Sequence, residues 1–251
     1  MNFAKWCTTD RVSVKGHDLQ VLTAVDSKLN VGRDAVAAVV PGHYASEQRV
    51  ADILKRLGKA KAAEYIQQKL PKSKSIRSGD LGEILGASYV AEFMPYDIAV
   101  NKLRWKDHRE MAMRGEDIIG VRFEPKSKRL EFLKGEIKSR ATLTTTVLSE
   151  ARAALRKDNN RPSPHGLSYI ADRLFELGKT DAVNAIDDAQ FKNGIKLSQI
   201  EHLVFAFSGN DPLQLLKSNL LAYKGKVRQS AVGLWIATHQ AFIKAVYEKV
   251  T

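Results

Sequence analysis

A chain of 251 residues with an apolar share of 44% can build one large domain or two small ones around a sizeable core. Its formal net charge of +12 favours a polyanionic partner, nucleic acid first and an acidic membrane surface second. The single cysteine, Cys7, excludes a disulfide framework and any Cys-based zinc cluster, and residues 1–11 lack the apolar stretch of an export signal, so a soluble cytoplasmic protein is expected.

The first thirty residues are polar and weakly patterned. Residues 34–40 read as a short buried strand ended by Pro41-Gly42. Ser46 then predicts the cap of a helix to Leu57, with Val50, Ile53, Leu54 and Leu57 at helical spacing. Gly58 breaks that helix, and residues 59–70 form a second one. Residues 72–78 are a basic, serine-containing link, which suggests an N-terminal α/β extension (1–75) packed on a core (76–251). A helix at 79–94 stops at Pro95, followed by a weak strand at 98–103 and a basic connector at 104–109.

Two strands come next, 115–123 and 130–140, with Pro125-Lys126-Ser127-Lys128 as the turn between them. Paired as a hairpin, they set Glu124 opposite Arg129, and counting back sets Asp117 opposite Glu136. Such partners have Cβ atoms roughly 4.5–5.5 Å apart. Lys138 lies two residues on and shares the face of Glu136. Helices are expected at 144–157, 167–178, 181–189 and 239–250, and strands at 200–207 and 232–238. The order predicts an α/β fold with a mixed sheet flanked by helices.

Two carboxylates facing each other across a ladder suit a hard cation, Mg²⁺ or Mn²⁺, with the carbonyl of Ile137 as a third oxygen. A cation bound there would acidify a water and offset charge on phosphorus, while Lys138 meets the developing anion. Glu83 adds a fourth group from the preceding helix. Each residue also has an ordinary reading. Glu136 and Lys138 could be surface charges, Asp117 could turn the chain, and Asp80-Leu81-Gly82-Glu83 fits a capping box.

The succession Glu83, Asp117, Glu136-Ile137-Lys138 resembles the PD-(D/E)XK nuclease superfamily, with Glu116 where the motif's proline usually stands. A closer resemblance covers most of the chain. The segments Ser78-Gly79-Asp80-Leu81-Gly82-Glu83, Arg114-Gly115-Glu116-Asp117-Ile118-Ile119-Gly120 and Lys134-Gly135-Glu136-Ile137-Lys138-Ser139-Arg140 are similar to those of HamA, the nuclease family of Hachiman anti-phage systems. That resemblance implies a restriction-endonuclease-like core and a metal-dependent DNase held by a superfamily 2 helicase, HamB.

Basic residues surround the motif: Lys102, Arg104, Lys106, Arg109 and Arg140, then Arg152, Arg156, Lys157 and Arg161. Arg152 and Arg156 are four apart, on one helix face. They suggest a sequence-independent, salt-sensitive phosphate groove. Trp105 is a base-stacking candidate or a core residue. The six histidines show no ligand spacing, Cys7 has no evident base, and no Walker A sequence occurs. The competing reading is a non-catalytic nucleic-acid-binding subunit of a helicase complex with a vestigial nuclease core.

Overall fold

A computed structural model describes residues 1–124 and 129–250, so the expected turn at 125–128 lies outside the described residues. Its centre is a seven-stranded mixed sheet in the order β1-β2-β7-β6-β5-β4-β3. The strands are β1 (Cys7–Val14), β2 (His17–Ala24), β3 (Asp97–Ile98), β4 (Ile118–Glu124), β5 (Arg129–Arg140), β6 (Ile200–Ser208) and β7 (Arg228–Trp235). β5, β6, β7 and β2 run parallel to their neighbours in that block, while β1 with β2 and β3 with β4 with β5 are antiparallel.

β6 is buried along its whole length, as expected of a central strand covered on both faces. Leu203, Phe205 and Phe207 of β6, with Leu133 and Ile137 of β5, pack beneath α1 (Leu29–Tyr44), α4 (Lys74–Phe93) and α9 (His239–Val250). On the other face, Val204 and Ala206 meet α5 (Thr145–Arg156) and α8 (Leu213–Ala222). Phe132 and Ile119 meet α6 (Pro164–Glu176) and α7 (Thr180–Asp187). Helices α2 (Glu47–Leu57) and α3 (Lys59–Lys69) lie against each other beside α1.

The hairpin register agrees with the sequence reading: Glu124 pairs with Arg129 and Ile118 with Gly135. Ser46 caps α2, its Oγ accepting from the Arg49 amide. Three expectations are corrected. The polar N-terminus is a β-hairpin, turned by Lys15 and Gly16 at φ of 50° and 78°, and it belongs to the same sheet as β5. The expected strand at 34–40 lies inside α1, where Gly32, Val36, Val40 and Tyr44 make a buried stripe four residues apart and Pro41 is carried in the last turn. The link at 72–78 is largely helix: α4 starts at Lys74, with Ser73 Oγ accepting from the Ile76 amide. Helix α8, opened by Pro212, was not foreseen.

Candidate active site

The earlier start of α4 changes the meaning of Glu83. Residue 83 lies deep inside the helix, too far from its N-terminus to cap it, so the capping-box reading fails. Gly82 and Gly86, one turn apart, let α4 lie directly on β5. A Cβ at Gly82 would come within 3.0 Å of Ser139 Cβ, and one at Gly86 within 2.7 Å of Ile137 Cδ1. Ser78 Oγ lies 2.8 Å from Ser139 Oγ, which in turn lies 3.1 Å from Nε2 of His239 at the start of α9. This seam fixes Glu83 over the strand that carries Glu136 and Lys138.

Asp117 directly precedes β4. Its Oδ2 accepts the Ile137 amide at 2.7 Å, tying it to the backbone of β5 between Glu136 and Lys138. Its neighbour Glu116 serves a different element. The Glu116 carboxylate accepts from the Ser163 amide (2.6 Å) and the Ser163 hydroxyl (2.9 Å) at the start of α6, where a negative group is favourable. Lys134 stands 3.8 Å away, and both side chains are nearly buried. Gly166 permits this approach, since a Cβ there would lie 2.6 Å from Glu116 Oε2. From the sequence, Glu116 stands out only where the motif's proline usually is, and Lys134 only as the first residue of the segment that carries Glu136. Their acid-base pairing, 18 residues apart, was the signal available.

On β5, Lys138 Nζ is 2.8 Å from Glu136 Oε1, with side chains 17% and 15% exposed. Lys102, assigned above to a phosphate groove, belongs to this site instead. Its ammonium donates to the Glu116 carbonyl at 2.5 Å and attracts Glu83, Asp117 and Glu136 together. Burial pushes the Glu83 carboxyl up to about 8, with Lys102 pulling it down and Asp117 pushing it further up. Burial likewise raises Asp117, opposed by the Ile137 amide and then Lys102. Glu136 is raised by burial and by Asp117, against its bond with Lys138. Three carboxyl groups in a desolvated space thus bind protons more readily than free ones, and added positive charge would offset that.

Glu83, Asp117 and Lys102 open onto a cleft of about 320 Å³. No three His, Cys, Asp or Glu side chains among the described residues are arranged to hold a metal by themselves. Mg²⁺ does not require that: one or two carboxylates suffice when water and phosphate complete the shell. Asp117, Glu136 and the Ile137 carbonyl are all hard oxygen donors, and their raised proton affinity marks a place short of positive charge. The residues therefore fit such an ion.

The expected basic groove is only partly present. Lys106 is buried with Asp80 at 2.7 Å, their side chains 3% and 4% exposed. Arg104 is spent on the Gly42 carbonyl (2.9 and 2.7 Å). Arg152 is buried among Asn219, Gln229 and the ring of Tyr223, so it cannot share an outer face with Arg156. Arg152 leaves the groove because helix spacing does not say which face packs inward, and Lys106 and Arg104 leave it because their partners, Asp80 and the Gly42 carbonyl, lie far away in sequence. Arg109 is held by the Gln68 carbonyl and Glu110, and Arg161 by the Ile195 carbonyl. Arg140, Arg156 and Lys157 remain exposed. Trp105 packs with the second core, under the Arg173 guanidinium at 4.5 Å.

Fold and site together define a mixed α/β protein in which α4, the entry to β4 and the connector before it deliver Glu83, Asp117 and Lys102 to one cleft. The HamA family model matches residues 1–250, and the chain belongs to that family. It is 29% identical to the Hachiman protein HamA of Bacillus cereus, over 98% of this chain and 90% of that protein.

Proposed function

We propose that this chain is a Mg²⁺- or Mn²⁺-dependent nuclease with a PD-(D/E)XK core, the DNA-degrading effector of a cytoplasmic anti-phage complex governed by a superfamily 2 helicase. One observation carries the catalytic part. Glu83 from a helix and Asp117 from a strand entry open onto one cleft, and Asp117 bonds the Ile137 amide between Glu136 and Lys138, which pair at 2.8 Å on the adjoining strand. The family membership and the name of the Bacillus cereus relative support the defence setting, and the charge of +12 supports a nucleic-acid substrate.

When bound, a divalent cation supplies Lewis-acid chemistry, offsetting phosphate charge and acidifying a water. Asp117, Glu136 and the Ile137 carbonyl would hold it, with Glu83 reaching in from α4. Asp117 is already fixed by the Ile137 amide, so its position needs little reorganisation. Lys138, paired with Glu136 at 2.8 Å, would offer its ammonium to the phosphate as negative charge builds. Lys102 adds a second positive charge and holds the Glu116-Asp117 backbone.

The test is cleavage of circular and linear DNA by the purified chain, and by the chain with its helicase, with and without Mg²⁺ or Mn²⁺, beside Glu136→Ala. Metal-dependent cutting that disappears in the variant is the expected result. Wild-type cutting by Glu136→Ala overturns the assignment. DNA binding without metal-dependent cutting in either form favours a non-catalytic regulatory subunit.

A further inference from the structure

Besides Glu83, Asp107, Glu116 and Asp117, the cleft has apolar and aromatic walls: Ile98, Val100, Met113, Ile170 and Tyr169 line the same space, with the exposed imidazole of His165 among them. A site that handled only the sugar-phosphate backbone of a duplex would have no use for such walls, because a duplex presents phosphates and sugars outward and keeps its base faces stacked inside. The group that joins a flat apolar face to a phosphodiester is a nucleobase.

We infer that this cleft seats an unstacked base next to the bond being cut, so that the preferred substrate is single-stranded or locally unpaired DNA. The inference rests on the nuclease reading for its cutting site, and on the cleft itself for its choice of strand. At about 320 Å³ the space lies within the range of ligand pockets, roughly 300–1,000 Å³, and has room for a base. Tyr169 supplies the aromatic wall. The Arg173 guanidinium lies 5.4 Å from its ring centroid, holding the ring in place. Lys102 lines the same cleft and attracts Glu83, Asp117 and Glu136, so it offers a positive charge to the phosphate attached to that base. Stacking accepts any base, so little sequence preference is expected.

Two measurements on the full chain test this. In EDTA, where metal-dependent cutting cannot intervene, fluorescence anisotropy compares a single-stranded dT oligonucleotide, an abasic strand of the same length, and a duplex. The dT strand should bind roughly 5- to 100-fold tighter than the abasic one, the span found for single stacked bases. Tyr169→Ala, and Ala112→Trp (an exposed residue lining the cleft, enlarged to obstruct it), should remove most of that difference. With Mg²⁺ or Mn²⁺, single strands should be cut at least about ten-fold faster than the matching duplex, and Ala112→Trp should narrow the ratio. Equal binding of dT and abasic strands, or no binding of either, overturns the inference even if the protein proves a nuclease. Base-dependent binding that the two variants leave intact overturns the location. Base-dependent, variant-sensitive binding with no cutting under any metal upholds the cleft's role and overturns the nuclease reading.

Discussion

Two lysine–carboxylate pairs sit near each other on α4 and β5, and they differ in what surrounds them. Lys106 and Asp80 meet at 2.7 Å with 3% and 4% of their side chains exposed, and the Tyr44 hydroxyl donates to Asp80 at 2.6 Å. Lys138 and Glu136 meet at a similar 2.8 Å, but with 17% and 15% exposed and with Asp117 alongside. The first pair is closed on itself and joins α4 to the connector before β4. The second is not closed, because Asp117 crowds a further carboxyl group against Glu136, and Glu83 does the same against Asp117. Asp80 and Glu83 are three residues apart on one helix, so chemistry alone does not separate a fastener from a working group. Closure does.

The largest expected effect tests the closed pair. Lys106→Ala leaves Asp80 buried without its cation and should cost about 3–5 kcal/mol of stability, read from urea unfolding. A loss under about 1 kcal/mol, the range of exposed pairs, would mean the two pairs are not different in kind. Next comes Lys138→Ala, which should lower metal-dependent cleavage about 100- to 1,000-fold while leaving the urea midpoint close to wild type. Equal loss of stability and activity would make Lys138 structural.

Glu83 separates the pairs through pH. Its carboxyl is raised by burial to about 8, so the native state holds a proton that the unfolded chain, near 4.5, gives up. Its contribution to stability is complete below about 4.5 and is lost as pH rises through about 8. Without metal, wild type should therefore lose more stability between pH 5 and 8.5 than Glu83→Gln, which keeps a neutral side chain throughout. Parallel urea midpoints for the two would contradict this. Gly86→Ala is a smaller perturbation: its Cβ would press on Ile137 Cδ1, costing about 1–3 kcal/mol and moving Glu83 off β5. Cleavage should fall further than that stability change requires, a comparison that circular dichroism melting and nuclease assays make directly. The smallest effects belong to the exposed cations. Arg140→Ala or Arg156→Ala should each reduce the slope of log affinity against log salt by about 1, whereas Arg152→Ala should destabilise the fold instead.

These contrasts also explain what could be read from sequence. The β4–β5 hairpin was legible because two apolar strand segments close in sequence suggest a register, and the pairing from Glu124–Arg129 to Ile118–Gly135 runs toward Asp117 and Glu136. The N-terminal hairpin was not: β1 is exposed at every position between Cys7 and Val14, leaving no alternating apolar signal. The Ala-Val run of α1 suits either a buried strand or a buried helix, and only the spacing extended to Gly32 and Tyr44 decides. Among the cations, Lys102, Lys106 and Arg140 look alike in a list of residues. Their partners, Glu116, Asp80 and open solvent, come from segments the sequence does not align.

The order of the sheet has a consequence for how the molecule is made. β2 lies between β1 and β7, and Asp18 pairs with Ser230, so the second strand to leave the ribosome waits for the last one before it is enclosed. β5, which carries Glu136 and Lys138, likewise waits for β6. Such distant pairings make folding slow and late. Every motif residue is translated by Lys138, yet the strand they are displayed on stays an open edge until residues 200–208 arrive. A nascent or C-terminally clipped chain would thus carry all the chemical groups without the rigid surface that aligns them.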